Sequence, residues 1–342
     1  MSAGCMGVEI GGTKLQIVWA DDQGRLEHRR RLAVDPRLGG AGIRRQLETA
    51  LRDRPRDYPE PRGVGVGFGG PVDWETGVIQ CSHQIEGWAG FGLGEWLHEV
   101  VQAPVWVDND ANVAALGEAC RGAGQGFDPV FYVTLGSGVG GGLVVGGRIY
   151  HGAKPGEAEI GHVRLDRQGT TVESRCSGWA VDRRIREFQT TDPGGALARL
   201  TRGTTGGEAR QLGPALAAGD PAALRLLEET AGDLAWGLSH VVHLLHPARL
   251  VLGGGLSLLG EVWRAAVARA LSSLIMPAFA PGPSVVLAQL GEDAVPVGAV
   301  VLAQSGAVQG GDPAILIMDQ IGTPGEGTRP TRGRFCGGVD AG

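Results

Sequence analysis

Three glycine-rich runs and one aspartate define the chemistry this sequence could perform. The runs are Gly11-Gly12-Thr13-Lys14, Gly136-Ser137-Gly138-Val139-Gly140-Gly141 and Gly253-Gly254-Gly255. A turn stripped of side chains lets consecutive backbone N–H groups converge on phosphate oxygens. Asp110 follows the apolar run Pro104-Val105-Trp106-Val107 and opens a helical stretch, a strand-to-helix junction of the kind where α/β proteins bind ligands. Phosphoryl transfer needs such an inventory: amides around the phosphates, a metal to bridge them, and a carboxylate facing the nucleophile. Each part also has an ordinary reading. A Gly-Gly pair is commonly just a turn, and an aspartate before a helix is commonly its N-cap. Taken singly, the ordinary readings are preferred; three runs in this order around one carboxylate weigh the other way.

The elements that must position these groups can be read from the pattern. Residues 7–20 form two β runs around the Gly11-Gly12 turn, a hairpin with a phosphate-sized tip. A helix is predicted around Ile43 to Leu51, an apolar strand over Gly63 to Phe68, a loop at Gly69 to Asp73 and a helix near Leu93 to Val101. The strand ending at Asp108 and the helix from Ala111 to Cys120 flank Asn109 and Asp110. A second hairpin pairs Val130–Leu135 with Leu143–Val145 across a glycine-rich tip. Asp220 and Pro221 make an N-cap and first turn for an amphipathic helix carrying Leu224, Leu227, Ala231, Leu234, Leu238, Val241 and Leu245. A strand at Arg249–Leu252, the Gly253–Gly255 turn, a helix from Leu256 and a final helix from Pro296 to Gln304 complete the folded part. Two glycine-tipped hairpins, one per half, point to a duplicated architecture.

At 342 residues the chain exceeds what one core usually organises, so two lobes with a cleft between them are expected. Glycine is the compositional outlier, 60 residues against the ~7% of an average protein, and its clustering between apolar runs marks backbone-approach loops. A formal charge of −6 argues against nucleic acid as a partner. No apolar run approaches the ~20 residues of a membrane span, and residues 1–10 lack the pattern of a signal peptide, so a soluble cytoplasmic protein with no membrane partner is expected. The cysteines, Cys5, Cys81, Cys120, Cys176 and Cys336, are odd in number and scattered, which suggests plain thiols and no disulfide framework.

With these motifs in order, the chain resembles the ROK family of sugar kinases over roughly residues 7–305. Glu9-Ile10-Gly11-Gly12-Thr13-Lys14 and Gly136-Ser137-Gly138-Val139-Gly140-Gly141 resemble that family's two phosphate loops. Pro247 to Gly255 is similar to the strand and turn beside its adenosine pocket, Val107-Asp108-Asn109-Asp110-Ala111-Asn112 to its catalytic motif, and Glu159-Ile160-Gly161-His162 to its sugar-binding motif. The resemblance implies an α/β, two-lobe actin-like (ribonuclease H-like) ATPase fold with the active site in the interlobe cleft. It implies a small lobe over residues 1–114 completed by the helix near 296–305, a large lobe over 115–295, and a disordered tail over 306–342. It further implies ATP and Mg2+ as cofactors, a small sugar as substrate, and a homodimer. In roles carried over residue by residue, Asp110 takes the proton of the sugar hydroxyl; Gly70, Gln84, Asn109, Glu159, His162 and Glu173 contact the sugar. Gly11, Gly12, Thr13, Lys14, Gly136, Ser137, Gly138, Gly140, Gly253, Gly254 and Gly255 serve the nucleotide, and Glu9 lies near the magnesium.

Three departures from the family pattern bear on function. Glu9 stands where the family usually has Asp, a longer carboxylate that reaches a metal through water. Gln84 replaces a sugar-contacting Asn, one methylene longer. The family's zinc, held by a His and three cysteines, has no counterpart ligand set: His162 is followed by ten residues without cysteine, Thr171 falls where one should be, and Cys176 is misplaced. No zinc site is therefore expected, and packing around Trp179 with local hydrogen bonds is expected to hold His162 and Glu173 instead. Rival readings keep the fold and change the chemistry: a kinase for an N-acetylated amino sugar or fructose, one using polyphosphate, or a non-catalytic sugar-binding regulator. The regulators of the family carry a winged-helix domain, for which a first phosphate loop at Glu9 is expected to leave no room.

Overall fold

A computed structural model of the chain describes residues 4–53, 59–82, 84–154, 156 and 158–308. The tail expected over 306–342 lies outside the described residues, except that 306–308 belong to the last helix.

Along the first part run β1 (Cys5–Ile10), β2 (Lys14–Ala20), β3 (Leu26–Ala33), α1 (Gly39–Arg52), β4 (Val64–Phe68), the short strands β5 (Val72–Asp73), β6 (Val78–Ile79) and β7 (Phe91–Gly92), α2 (Leu93–Val101), β8 (Val105–Asn109) and α3 (Asp110–Arg121). The second part holds β9 (Val130–Leu135), β10 (Val139–Val145), β11 (Arg148–Ile149), the helices α4 (Val172–Cys176), α5 (Gly178–Thr191), α6 (Ala196–Leu200), α7 (Leu212–Ala217) and α8 (Pro221–Leu245), then β12 (Arg249–Gly253), α9 (Glu261–Ser272), β13 (Ser284–Leu287) and α10 (Ala294–Val308).

Two five-stranded sheets repeat one plan. Their orders are β3-β2-β1-β4-β8 and β11-β10-β9-β12-β13, each an antiparallel meander extended by parallel strands. The first sheet buries Met6, Val8, Ile10, Val64, Val66 and Phe68 against Ile43 and Leu47 of α1 and Leu93 and Leu97 of α2. The second buries Phe131, Val133, Leu250 and Leu252 against Leu234 and Leu238 of α8 and Trp263 of α9. Between the sheets lie α3 and α10, packed on each other and sharing a core with Val130, Tyr132 and Val251.

Glycine makes this middle layer thin. In β4 the apolar residues face the α1 side, while Gly65 and Gly67 face the middle helices, where a Cβ on Gly65 would stand 1.9 Å from the Ala299 carbonyl oxygen. On β10, a Cβ on Gly142 would stand 2.6 Å from the Cβ of Ala115. The glycine run after β9 is thus only half a tip. Val139 to Gly142 are already strand, paired with Leu135 to Tyr132, because α3 can sit on β10 only if that face is bare. Residue 114, the expected boundary between lobes, falls inside the unbroken helix α3, and α10 packs on β1 and β4.

Candidate active site

The β8–α3 junction is built by capping. Asn109 has extended backbone angles, and its side-chain oxygen accepts from the amides of Ala111 (2.9 Å) and Asn112 (3.4 Å). The N-cap is therefore Asn109 and not Asp110, which is the first helical residue, its carboxyl relieved of that duty. The Asn109 amide group also donates to the Gly70 carbonyl at 3.1 Å, tying the junction to the loop after β4 and leaving one N–H for a substrate. Asp110 lies against that loop, for a Cβ on Gly69 would be 3.4 Å from its Oδ2. Burial raises the Asp110 pKa to about 7, and the charges of Glu9 and, more weakly, Glu159 push in the same direction.

Glu9, at the end of β1, is held by two partners. The Gln16 side chain donates to Oε2 at 2.6 Å and the Lys14 ammonium pairs with Oε1 at 3.1 Å. Gln16 in turn accepts from Arg31 at 2.7 Å. Gln16 is wholly buried, and the motif gave it no role; a polar residue at an inward position of an apolar strand was the signal that could have found it. In the first glycine turn the Gly11 amide closes the hairpin on the Lys14 carbonyl at 2.9 Å, and among the described residues the Gly12 and Thr13 amides have no backbone partner.

The second glycine loop is anchored from behind. Glu173, in α4, accepts from the Val139 amide at 2.9 Å, and its carboxylate leaves no space for a side chain on Gly138. Gly136 accepts from the Gly178 amide at 2.7 Å. Gly136, Ser137 and Gly138 form the tip, whereas Gly140 lies within β10 opposite Thr134 with Ala111 against it. The missing side chain of Gly140 serves helix approach. Gly253 and Gly254 adjoin the same tip, since a Cβ on Gly254 would meet the Leu135 amide nitrogen at 2.4 Å, and Gly254 has φ +77°. Gly255 begins a 3-10 turn to Leu259.

Gln84 spans the two glycine loops. Its side-chain oxygen lies where a Cβ on Gly12 would be, and its amide donates to the Ser137 hydroxyl at 3.4 Å. Its partners thus belong to the two glycine loops. Glu159 is exposed and close enough to bias Asp110, and it follows Ala158, a non-glycine residue at φ +57°. Such backbone costs of order 1 kcal/mol and is found at binding sites more than elsewhere. His162 is exposed at the end of the 3-10 turn Ile160–His162.

Where the family's zinc loop would stand, this chain has a tight hairpin. Arg164 and Thr171 bridge, Leu165 donates to the Thr170 carbonyl at 2.8 Å, and Asp166 accepts from the Thr170 amide at 3.0 Å. Thr171 caps α4 in a capping box with Ser174. Cys176 is buried with its thiol toward the Thr230 carbonyl, and burial pushes its pKa up. Trp179 is 63% exposed, so the expectation that packing around it holds His162 and Glu173 does not stand; the Val139 amide and the capping box do that work for Glu173.

The sequence also passed over the partner of Asp108. This buried carboxylate accepts from the Asn109 amide (2.7 Å) and the Asn112 side chain (3.0 Å), and its other oxygen accepts from His151 at 2.6 Å. His151 follows β11, in the second sheet, and lies parallel to Trp74 at 4.1 Å between ring centroids. Nothing in the sequence pairs residues so far apart.

Two sheets of repeated topology, with glycine turns from both bridged by Gln84 and a buried carboxyl at a strand-to-helix junction, suit a phosphate-handling protein, and comparison with known proteins narrows the class. Residues 5–306 match the ROK family. The chain is 31% identical over 306 residues to a glucokinase of Halalkalibacterium halodurans, covering 86% of this chain and 92% of that one. It is 30% identical over 305 residues to a glucokinase of Thermotoga maritima, covering 86% and 95%. A ROK family glucokinase from Streptomyces griseus, solved with glucose and AMPPNP, superposes with a TM-score of 0.77 at 33% identity, covering 88% of this chain and 99% of that one. The chain belongs to the ROK family of sugar kinases, and its two lobes are the actin-like fold.

Proposed function

We propose that this chain transfers the γ-phosphoryl group of ATP to a hydroxyl of a hexose, with Asp110 as general base. The observation that carries the reading is the setting of Asp110, beside the first phosphate loop, biased by Glu9 and Glu159, with a pKa of about 7 where a base is most useful. The sugar hydroxyl would lie against Asp110, with the remaining N–H of Asn109 and the Glu159 carboxylate on neighbouring hydroxyls, and His162 and Glu173 further round the ring. As the hydroxyl oxygen attacks phosphorus, its proton passes to Asp110 and the bond to ADP breaks. The amides of Gly12 and Thr13, and those of the Gly136–Gly138 tip, would meet the phosphates, with the adenosine against Gly253–Gly255. The nucleotide complex of the Streptomyces griseus glucokinase supports this use of ATP.

A magnesium ion fits the site. The charges of Glu9 and Glu159 raise the cost of ionising Asp110, and a hard cation relieves that repulsion. Mg2+ is commonly held by one or two carboxylates, substrate phosphates and water, so it needs no all-protein cage here. Glu9, with both oxygens already bonded, would hold it through water; bound, it would neutralise phosphate charge.

The test is ADP release from Mg-ATP over a panel of hexoses, hexosamines and N-acetylated sugars. Sugar-dependent turnover is expected, falling by at least ~10²-fold in Asp110→Asn. Turnover that survives the substitution would remove Asp110 from the mechanism. Turnover only with an N-acetylated sugar would move the substrate assignment.

A further inference from the structure

We propose that His151 is a positioning residue for this reaction, acting on the catalytic turn through Asp108 from the opposite lobe; the proposal rests on the kinase reading above. Asp108 is buried. It sits beneath the turn, where one oxygen holds both the Asn109 backbone amide and the Asn112 side chain, the two groups that flank Asp110 in sequence. The other oxygen is taken by His151 Nε2 at 2.6 Å, with Asp108 only 6% and His151 19% exposed at the side chain. A carboxylate accepts only, so the imidazole carries its proton on Nε2. A buried carboxylate lacking that donor would be partly unsatisfied and free to turn, taking the Asn109 amide with it.

His151 is itself fixed. Trp74, between β5 and β6 in the first lobe, stacks on its ring at an interplanar angle of 14°. Three residues later Lys154 pairs with Asp73 at 2.9 Å and with Glu75. His151 and Lys154 are therefore both tied to the first lobe, one on Trp74 and the other on the carboxylates of Asp73 and Glu75 that flank it. His151 thus ties the second lobe to the turn that carries the base, through Asp108.

The experiment is a double-mutant cycle on the full chain, with His151→Ala, His151→Gln, Asp108→Asn and the double variant His151→Ala/Asp108→Asn, each checked for folding by circular dichroism and melting. Expected are a loss of about 10- to 100-fold in kcat/KM for sugar in His151→Ala, KM for ATP within about twofold, and partial recovery in His151→Gln, whose amide can donate in place of Nε2. The double variant should lose no more than Asp108→Asn alone, the signature of one residue acting through the other. A merely structural role would lower the melting temperature and leave kcat/KM per folded molecule unchanged, which would overturn the proposal, as would losses that multiply in the double variant. If the wild type turns over no sugar, the kinase reading fails on its own. Calorimetric sugar binding then decides: affinity weakened in His151→Ala supports positioning, whereas equal affinity, or no binding by the wild type, overturns it.

Discussion

The carboxyl of Asp110 titrates at about 7 because burial disfavours its charge, with repulsion from Glu9 and Glu159 added. Two consequences follow at this residue. A general base must be ionised, so kcat/KM for sugar should climb with pH to about 7 and level off above it; Glu9→Gln removes a repelling charge and should move the midpoint of that rise to lower pH. A flat profile from pH 5.5 to 8.5 would contradict the assignment. For stability the sign is the reverse. A carboxyl whose pKa is higher folded than unfolded keeps its proton longer in the native state, so the fold loses stability as pH rises from about 4 through 7. Asp110→Asn should therefore raise the melting temperature at pH 8, by roughly 2–5 °C, and barely change it at pH 4. Equal shifts at both pH values would show that the carboxyl is not strained. The motif around Asp110 was legible in sequence because its members are consecutive. Gln16 and His151 were not, because what matters in each is a partner brought by folding.

At the scale of elements, the glycines set distances between layers. A Cβ on Gly298 in α10 would stand 1.8 Å from the Val113 carbonyl of α3, backbone that cannot swing aside. Gly298→Ala should cost about 1–3 kcal/mol in denaturant unfolding and displace α3, lowering kcat as well; a neutral result would mean the two helices separate without cost. Leu93–Val101 and Val130–Leu135 were readable to the residue, and α8 was announced by Asp220 and Pro221, since local patterning and capping specify them. The strand β3 was missed: it is an edge strand carrying His28, Arg29, Arg30 and Arg31, and its polar residues answer to Ala50, Asp53, Glu292 and Asp293 instead of a core. The short helices α4, α6 and α7 fell below the length at which periodicity speaks. The hairpin before α4 closes on hydrogen bonds and its neighbourhood lacks a set of cysteines, so a strong zinc chelator should leave the melting temperature unchanged, and elemental analysis of purified protein should find no stoichiometric zinc.

Over the whole molecule, two sheets of the same strand order face a shared pair of helices, and contacts at Gln84–Ser137 and His151–Asp108 cross between them. The duplication was visible in the two hairpins; the crossing contacts were not. The position of α10 has a consequence for biosynthesis. Val300 and Ala303 complete a cluster with Cys5, Val18 and Ala20, and Ala299 covers the bare face of β4. The ribosome makes β4 roughly ten to fifty seconds before α10 emerges. Until then the first lobe has an uncovered glycine-lined sheet face and cannot close its core. A nascent chain stopped before Ala294 should be protease-sensitive through the first lobe, and the same chain extended past Val308 resistant. The lobe whose strands are made first is thus the one that finishes folding last, and chaperones meeting this chain during translation would meet it there.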